Sequence, residues 1–222
     1  MAMSDDAFDE IALAYRMYRG KRLRRGKTPD GRAYVLDTLK VDIMMERFDL
    51  GLRKVEVRSS AIHGKGVFAV QDIAAGEVAT LYPADWVAYM PHETRRTPGH
   101  FELIIPSDRV DMPEGGFLDT AYTYDVCANF SIQGDPTQHD DPNYLGHMLN
   151  DGARATVDPR SHRIYCACTL AKSNCKFEIK NDGITVAVTA KRDITAGEEL
   201  LVPYGVGYWT SHSIAVYRRH VH

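Results

Sequence analysis

The stretch 72-DIAAGEV-78 returns later in the chain as 193-DITAGEEL-200, and each copy follows a run of β-forming residues, 67-VFAV-70 and 184-ITVAVT-189. An aspartate and a glycine between apolar runs are turn chemistry, because the carboxylate can bond nearby backbone and the glycine can take a positive φ. The spacing predicts strand, turn and strand in each place, that is, two similar hairpins. Their separation far exceeds the roughly 20 to 50 residues of a solenoid repeat. They therefore frame one β-rich domain.

Working outward, 55-VEVRSS-60, 78-VATLY-82 and 200-LLV-202 also read as short strands cut by turn residues. Long helical patterns are scarce after residue 50, so the fold class is mainly β, a β-rich α+β protein of small sheets. Before that point Phe8, Ile11, Ala12, Tyr15 and Tyr18 fall at helical intervals and predict an amphipathic helix over 5–18. The segment 83–144 is rich in Pro, Gly, Asp and Thr and predicts an insert of loops with one or two strands. The expected organisation is an N-terminal helix and basic segment over 1–51, a body over 52–209 with inserts at about 83–143 and 153–173, and a tail over 210–222.

The 222 residues carry a formal charge of −3 and are 44% hydrophobic, as suits one substantial core. That charge offers no global attraction to nucleic acid or an anionic membrane. One local patch does: 19-RGKRLRRGK-27 has six basic residues in nine. It is a solvated linker, a nuclear-import signal, or a weak contact for nucleic acid or an acidic surface. Acidic residues lead the chain (Asp5, Asp6, Asp9, Glu10) and no apolar run approaches the about 18 residues of a membrane span. A soluble intracellular protein, nuclear or cytoplasmic, is expected. Four cysteines are too few for a disulfide scaffold. His162, Cys166, Cys168 and Cys175 lie close in sequence, but Cys-x-Cys on a strand sends its thiols to opposite faces and the spacing matches no standard zinc knuckle. Buried thiols and no metal are the expectation.

In 144-YLGHMLNDG-152 three polar residues, His147, Asn150 and Asp151, interrupt an apolar run. They suit a pocket wall, a turn cap at Asp151 before Gly152, or a metal site joined by His139 or Asp140. Residue types alone leave the three open.

Four stretches stand in order: 58-RSSAIHGKGVFAVQDIAAGEV-78, 144-YLGHMLNDG-152, 174-NCKFEI-179 and 191-KRDITAGEELLVPYG-205. Together they closely resemble the SET-domain family of protein lysine methyltransferases, over roughly residues 52 to 209. The resemblance implies a fold of small β-sheets around a threaded, pseudoknot-like closing segment, and transfer of methyl groups from S-adenosyl-L-methionine to a lysine amine in a protein, most commonly a histone tail. It implies that Tyr204 is the catalytic tyrosine. It also implies that Gly64, Lys65 and Gly66 form the G-x-G that meets the donor, and that Asn150 and Asp151 wall the donor pocket. Tyr208 or Trp209, with Trp209 preferred, would stack on the adenine, and Phe177 and Val202 would line the lysine channel.

Three departures accompany the resemblance, one of them His147 where the family often has arginine. Asp151 stands where the family usually has histidine, whose contribution is largely through its main chain; Asp151 is expected to keep that role and to accept from the adenine amino group. The segment 153-ARATVDPRSHRIYCACTLAKS-173 replaces a few residues and is expected to form an extra hairpin or lobe beside the pocket. Because Phe177 and Val202 carry no hydroxyl, di- or trimethylation is favoured. The acidic 135-DPTQHDDP-142 is a candidate surface for a basic peptide. Two other readings remain: a catalytically silent module that binds protein or chromatin, and a methyltransferase for a non-histone protein.

Overall fold

The computed structural model describes residues 23–27, 33–37, 45–89, 103–107, 120–127, 130–153, 158–180 and 185–210. The helix expected over 5–18 and the tail beyond residue 210 lie outside them. No helix among the described residues is long and apolar enough to cross a membrane. The chain divides into two compact units, one of residues 1–47 and 83–135, the other of 48–82 and 136–222.

In the first unit, β1 (Leu23–Lys27) pairs antiparallel with β2 (Ala33–Asp37), so the end of the basic segment is a strand. The segment expected as loops with one or two strands instead holds a four-stranded antiparallel sheet. Its order is β7 (Leu103–Pro106), β6 (Trp86–Tyr89), β9 (Phe130–Gln133), β8 (Thr123–Cys127). Strands of four or five residues separated by Pro- and Gly-rich links leave too little alternation to be read from composition. Asp85, fully buried at the start of β6, accepts from Arg47 Nη2 on both carboxylate oxygens (2.9 and 3.0 Å) and from the Asp135 amide (2.8 Å).

In the second unit, β3 (Val55–Ser59) and β4 (Lys65–Ala69) form a hairpin closed by the Ser60 amide on Gly64 O at 2.9 Å. A three-stranded sheet runs β10 (Cys175–Ile179), β11 (Val186–Ala190), β5 (Val78–Leu81). All five residues of β11 are buried, which matches its mostly apolar run, with Thr189 as the one polar member.

The two sequence echoes are not separate hairpins. Each forms a turn with glycine at its third position, Gly76 at φ +84° and Gly197 at φ +91°, closed by Glu77 N on Ala74 O and Glu198 N on Thr195 O. That positive φ is what a type II turn demands of this position. The turns then face each other: Ile73 and Ile194 exchange both amide bonds at 2.9 Å. The Ala75 amide donates to Asp193 Oδ1 (2.8 Å), and reciprocally Ala196 donates to Asp72 Oδ1 (2.9 Å). Each copy also exchanges strands with the other. β4, which enters the first turn, bridges to Glu199 after the second; β11, which enters the second, pairs with β5 after the first. Local alternation located the strands near 55–60, 67–70, 78–82 and 184–189, whereas 200–202 makes only an isolated bridge. It could not show which partners the strands take, because that is decided by burial across the whole core.

The segment expected as a hairpin or lobe is a helix, α1 (Pro159–Lys172). Asp158 caps its first turn by accepting from the Arg160 amide (2.9 Å), and proline occupies the first helical position. The two cysteines Cys166 and Cys168 are thus helical residues. The hidden stripe of α1 is Tyr165 and Thr169, one turn apart, while Ile164 and Leu170 are 64% and 72% exposed.

Candidate active site

Everything described here belongs to the second unit. Leu145 and Leu149 anchor 144-YLGHMLNDG-152 in the core, and the Leu145 amide donates to the fully buried Thr80 of β5 at 2.9 Å. His147 is buried with its ring 6.3 Å from Tyr82, edge to face. Among the described residues no group of three His, Cys, Asp and Glu is placed to hold a metal ion.

Asn150 is buried, and its amide nitrogen lies 3.1 Å from His63 O, 3.0 Å from Lys65 O and 2.9 Å from Glu199 Oε1. It therefore holds the G-x-G loop from inside. Glu199 Oε2 accepts from Ser60 Oγ at 2.9 Å, which fastens the opposite end of the same loop. Gly66 has a local reason to be glycine: a Cβ there would sit 2.1 Å from Glu199 Oε1 and 2.9 Å from Asn150 Nδ2. Lys65 Nζ lies 2.6 Å from His139 Nε2, whose Nδ1 is 3.0 Å from Thr137 O.

The closing segment 199–202 is bonded on several sides. Leu200 N donates to Val67 O (2.7 Å), Val202 N to Asn150 O (3.0 Å), and Leu201 N to Asn174 Oδ1 (2.7 Å), while Leu201 O accepts from Cys175 N (3.0 Å). A segment held by isolated bridges and single bonds between β4, residue 150 and the start of β10 is the arrangement a threaded segment requires. Val202 is fully buried, and Phe177 on β10 packs edge-on against Tyr82 with centroids 5.6 Å apart. Burial pushes the Cys175 thiol up to about 12, so it is an inert core residue.

Asp151 is the hub of the site. Its buried carboxylate accepts from Ala153 N (3.0 Å) and Thr169 Oγ1 (3.0 Å) on one oxygen, and from Tyr165 Oη (2.6 Å), Tyr204 N (2.9 Å) and Trp209 Nε1 (3.1 Å) on the other. Five donors exhaust the roughly four lone-pair sites of a carboxylate. The expectation that this side chain accepts from an adenine amino group therefore gives way: the carboxylate organises the protein itself. Tyr165 Oη in turn accepts from Gly205 N at 2.7 Å. Burial first, then the hydrogen bond to Asp151, pushes the Tyr165 phenol up to about 12.

Tyr204 is pinned at both ends, its amide by Asp151 and its hydroxyl by donation to Leu149 O. Its ring stacks on Trp209 (centroids 5.8 Å, 26° between planes) and meets Tyr208 edge-on at 4.6 Å. Residues 206–210 are helical, which brings Trp209 back over Asp151. A cavity of about 290 Å³ opens beside residues 151–153, framed by Ile62, Ile164, Tyr165 and Cys168.

Hydrogen bonds and ring contacts thus join Lys65 to Asn150 and Asp151 to Tyr204 and Trp209, with Gly66 packed against Asn150 and Gly64 in the loop that Asn150 holds. Tyr165, Thr169 and Glu199 were not singled out by the sequence. For the first two the available signal was their spacing of four on a segment opening with Asp-Pro.

The SET-domain family profile matches residues 64–205, well over half the chain, and the chain belongs to that family, whose members are typically protein lysine methyltransferases. Among solved structures, one similar chain is a Plasmodium falciparum protein provisionally named a histone methyltransferase. It is 17% identical, with a TM-score of 0.36, and the match covers 71% of this chain and 97% of that one. No curated protein matches the chain in sequence.

Proposed function

We propose that this chain transfers methyl groups from S-adenosyl-L-methionine to the side-chain amine of a lysine in a protein, with histone tails as the first class to test. The observation that carries the reading is the double anchoring of Tyr204, by Asp151 at its amide and by Leu149 O at its hydroxyl. The residues present fit the donor: apolar Ile62 and Ile164 frame the cavity beside the main chain of 151–153, and nothing lies within 4 Å of where a Cβ on Gly64 would stand. Main chain at 151–153, the G-x-G of Gly64, Lys65 and Gly66, and the ring of Trp209 or Tyr208 would hold it. When bound it supplies an electrophilic methyl on a sulfonium.

The chain must supply a neutral amine and hold it in line. A lysine of pKa about 10.4 costs on the order of 4 to 5 kcal/mol to deprotonate at pH 7. Apolar, aromatic walls lower that cost by desolvating the ammonium; Phe177, Tyr82 and Val202 are the candidates. A hydroxyl that donates to a carbonyl acts as an acceptor toward a third group. Tyr204 Oη is thus suited to take an amine N–H and aim the nitrogen lone pair. Phe177 and Val202 bring no hydroxyl of their own, which favours two or three methyl groups.

The test is transfer of labelled methyl from S-adenosyl-L-methionine to core histones and to a whole-cell extract. Label on a discrete band, reduced by on the order of 100-fold or more in Tyr204→Phe, is the expected result. Absence of label with intact donor binding, measured by calorimetry, would instead favour a silent binding module. Label confined to extract proteins would move the substrate away from histones.

A further inference from the structure

Resting on that reading, we propose that Tyr165 of α1 is a positioning residue for Tyr204, acting with Asp151 as a clamp on two consecutive amides of the closing segment. Asp151 Oδ2 takes the amide of Tyr204 at 2.9 Å, and Tyr165 Oη takes the amide of Gly205 at 2.7 Å. The two acceptors are themselves bonded, Tyr165 Oη donating to the same Oδ2 at 2.6 Å. The orientation of both peptide planes is thereby fixed by one phenol and one carboxylate.

Burial makes the clamp stiff. Tyr165 is 2% exposed and Asp151 4%, so water has little access to replace a lost partner. The far end of Tyr204 is anchored at Leu149 O, two residues before Asp151. A shift of the 204–205 amides therefore moves the hydroxyl relative to that anchor, and displacement of a reacting group by about 1 Å can cost on the order of 100-fold in rate. The same phenol lines the cavity beside residues 151–153. Helix α1 is in this view part of the catalytic frame.

The test uses the full chain with Tyr165→Phe, which keeps the ring and removes only the hydroxyl, and reads two quantities. Amide hydrogen exchange without any ligand is expected to quicken at Gly205 by about tenfold or more, while Val202, bonded to Asn150 O, keeps its protection. Methyl transfer in single turnover is expected to fall by about tenfold to 100-fold, with the KM for donor and for peptide each within about threefold. Ser60→Ala removes the hydrogen bond to Glu199 Oε2 instead, leaving Asp151 and Tyr165 their partners, and is expected to leave Gly205 protected.

Equal loss of protection at Gly205 in both variants would mean general loosening and would overturn the clamp. Unchanged exchange in Tyr165→Phe would overturn it as well. Faster exchange at Gly205 with an unchanged transfer rate would overturn the positioning role and spare the methyltransferase reading. Absence of transfer by the wild-type chain would sink that reading, and with it the catalytic consequence, whatever the exchange data show.

Discussion

A carboxylate taken out of water is costly unless hydrogen bonds replace its hydration, and at Asp151 five donors do so. All five are neutral amides, hydroxyls or an indole, so the group works as a fixed centre around which Tyr165, Tyr204 and Trp209 are ordered. This gives Tyr165 a testable alkaline signature. Its folded pKa of about 12 lies above the ordinary 10.0, so the folded state favours the protonated phenol. The associated stability is fully present below pH 10 and is lost as pH rises from 10 towards 12. Urea midpoints of the wild type are expected to fall more steeply than those of Tyr165→Phe across that window, and parallel curves would refute the assignment. The sequence made Asn150, Asp151 and Tyr204 legible, because a motif names positions. It was silent on what those side chains hold. A carboxylate aimed at a ligand and one aimed at the protein's own amides look the same in one dimension.

Among the elements, α1 was missed for a physical reason. Amphipathic helices are recognised by apolar residues recurring on one face, and here the buried face carries Tyr165 and Thr169 while Ile164 and Leu170 point outward. Its partner is a polar hub, so its hidden stripe bears hydroxyls. The Asp-Pro opening was the legible clue. β4 offers the contrasting case, a strand the sequence identified and whose glycine the structure explains. Gly66→Ala drives a methyl into Glu199 and Asn150, and overpacking of this kind costs about 1 to 3 kcal/mol. Gly64→Ala meets open space and only the strain of φ +47°, about 1 kcal/mol. Chemical denaturation is expected to rank Gly66→Ala as the more destabilised, and the reverse order would contradict the Glu199 contact.

At the scale of the second unit, the echo 72-DIAAGEV-78 and 193-DITAGEEL-200 marks an internal two-fold relation. Repetition revealed that two like turns exist; that they cap each other had to be seen in three dimensions. Asp72 and Asp193 make matching bonds to the opposite turn, spanning 124 and 118 residues of sequence. Each removal is expected to cost about 1 kcal/mol, and Asp72→Ala and Asp193→Ala should lower stability by closely similar amounts in thermal or urea unfolding. A large inequality would show that the likeness is one of sequence only. The exchange of strands between the turns also has a consequence for biosynthesis. Val67 finds its bond to Leu200, and Ile73 its pair of bonds to Ile194, only after the intervening chain has been made. Pairing over such distances carries a loop-closure penalty before any contact repays it, so folding is slow. As the chain leaves the ribosome, β4 can pair at once with β3, but its other edge and the whole of β5 wait unmatched until residues 186–200 emerge. Over that interval they are the part of the nascent protein most in need of a chaperone.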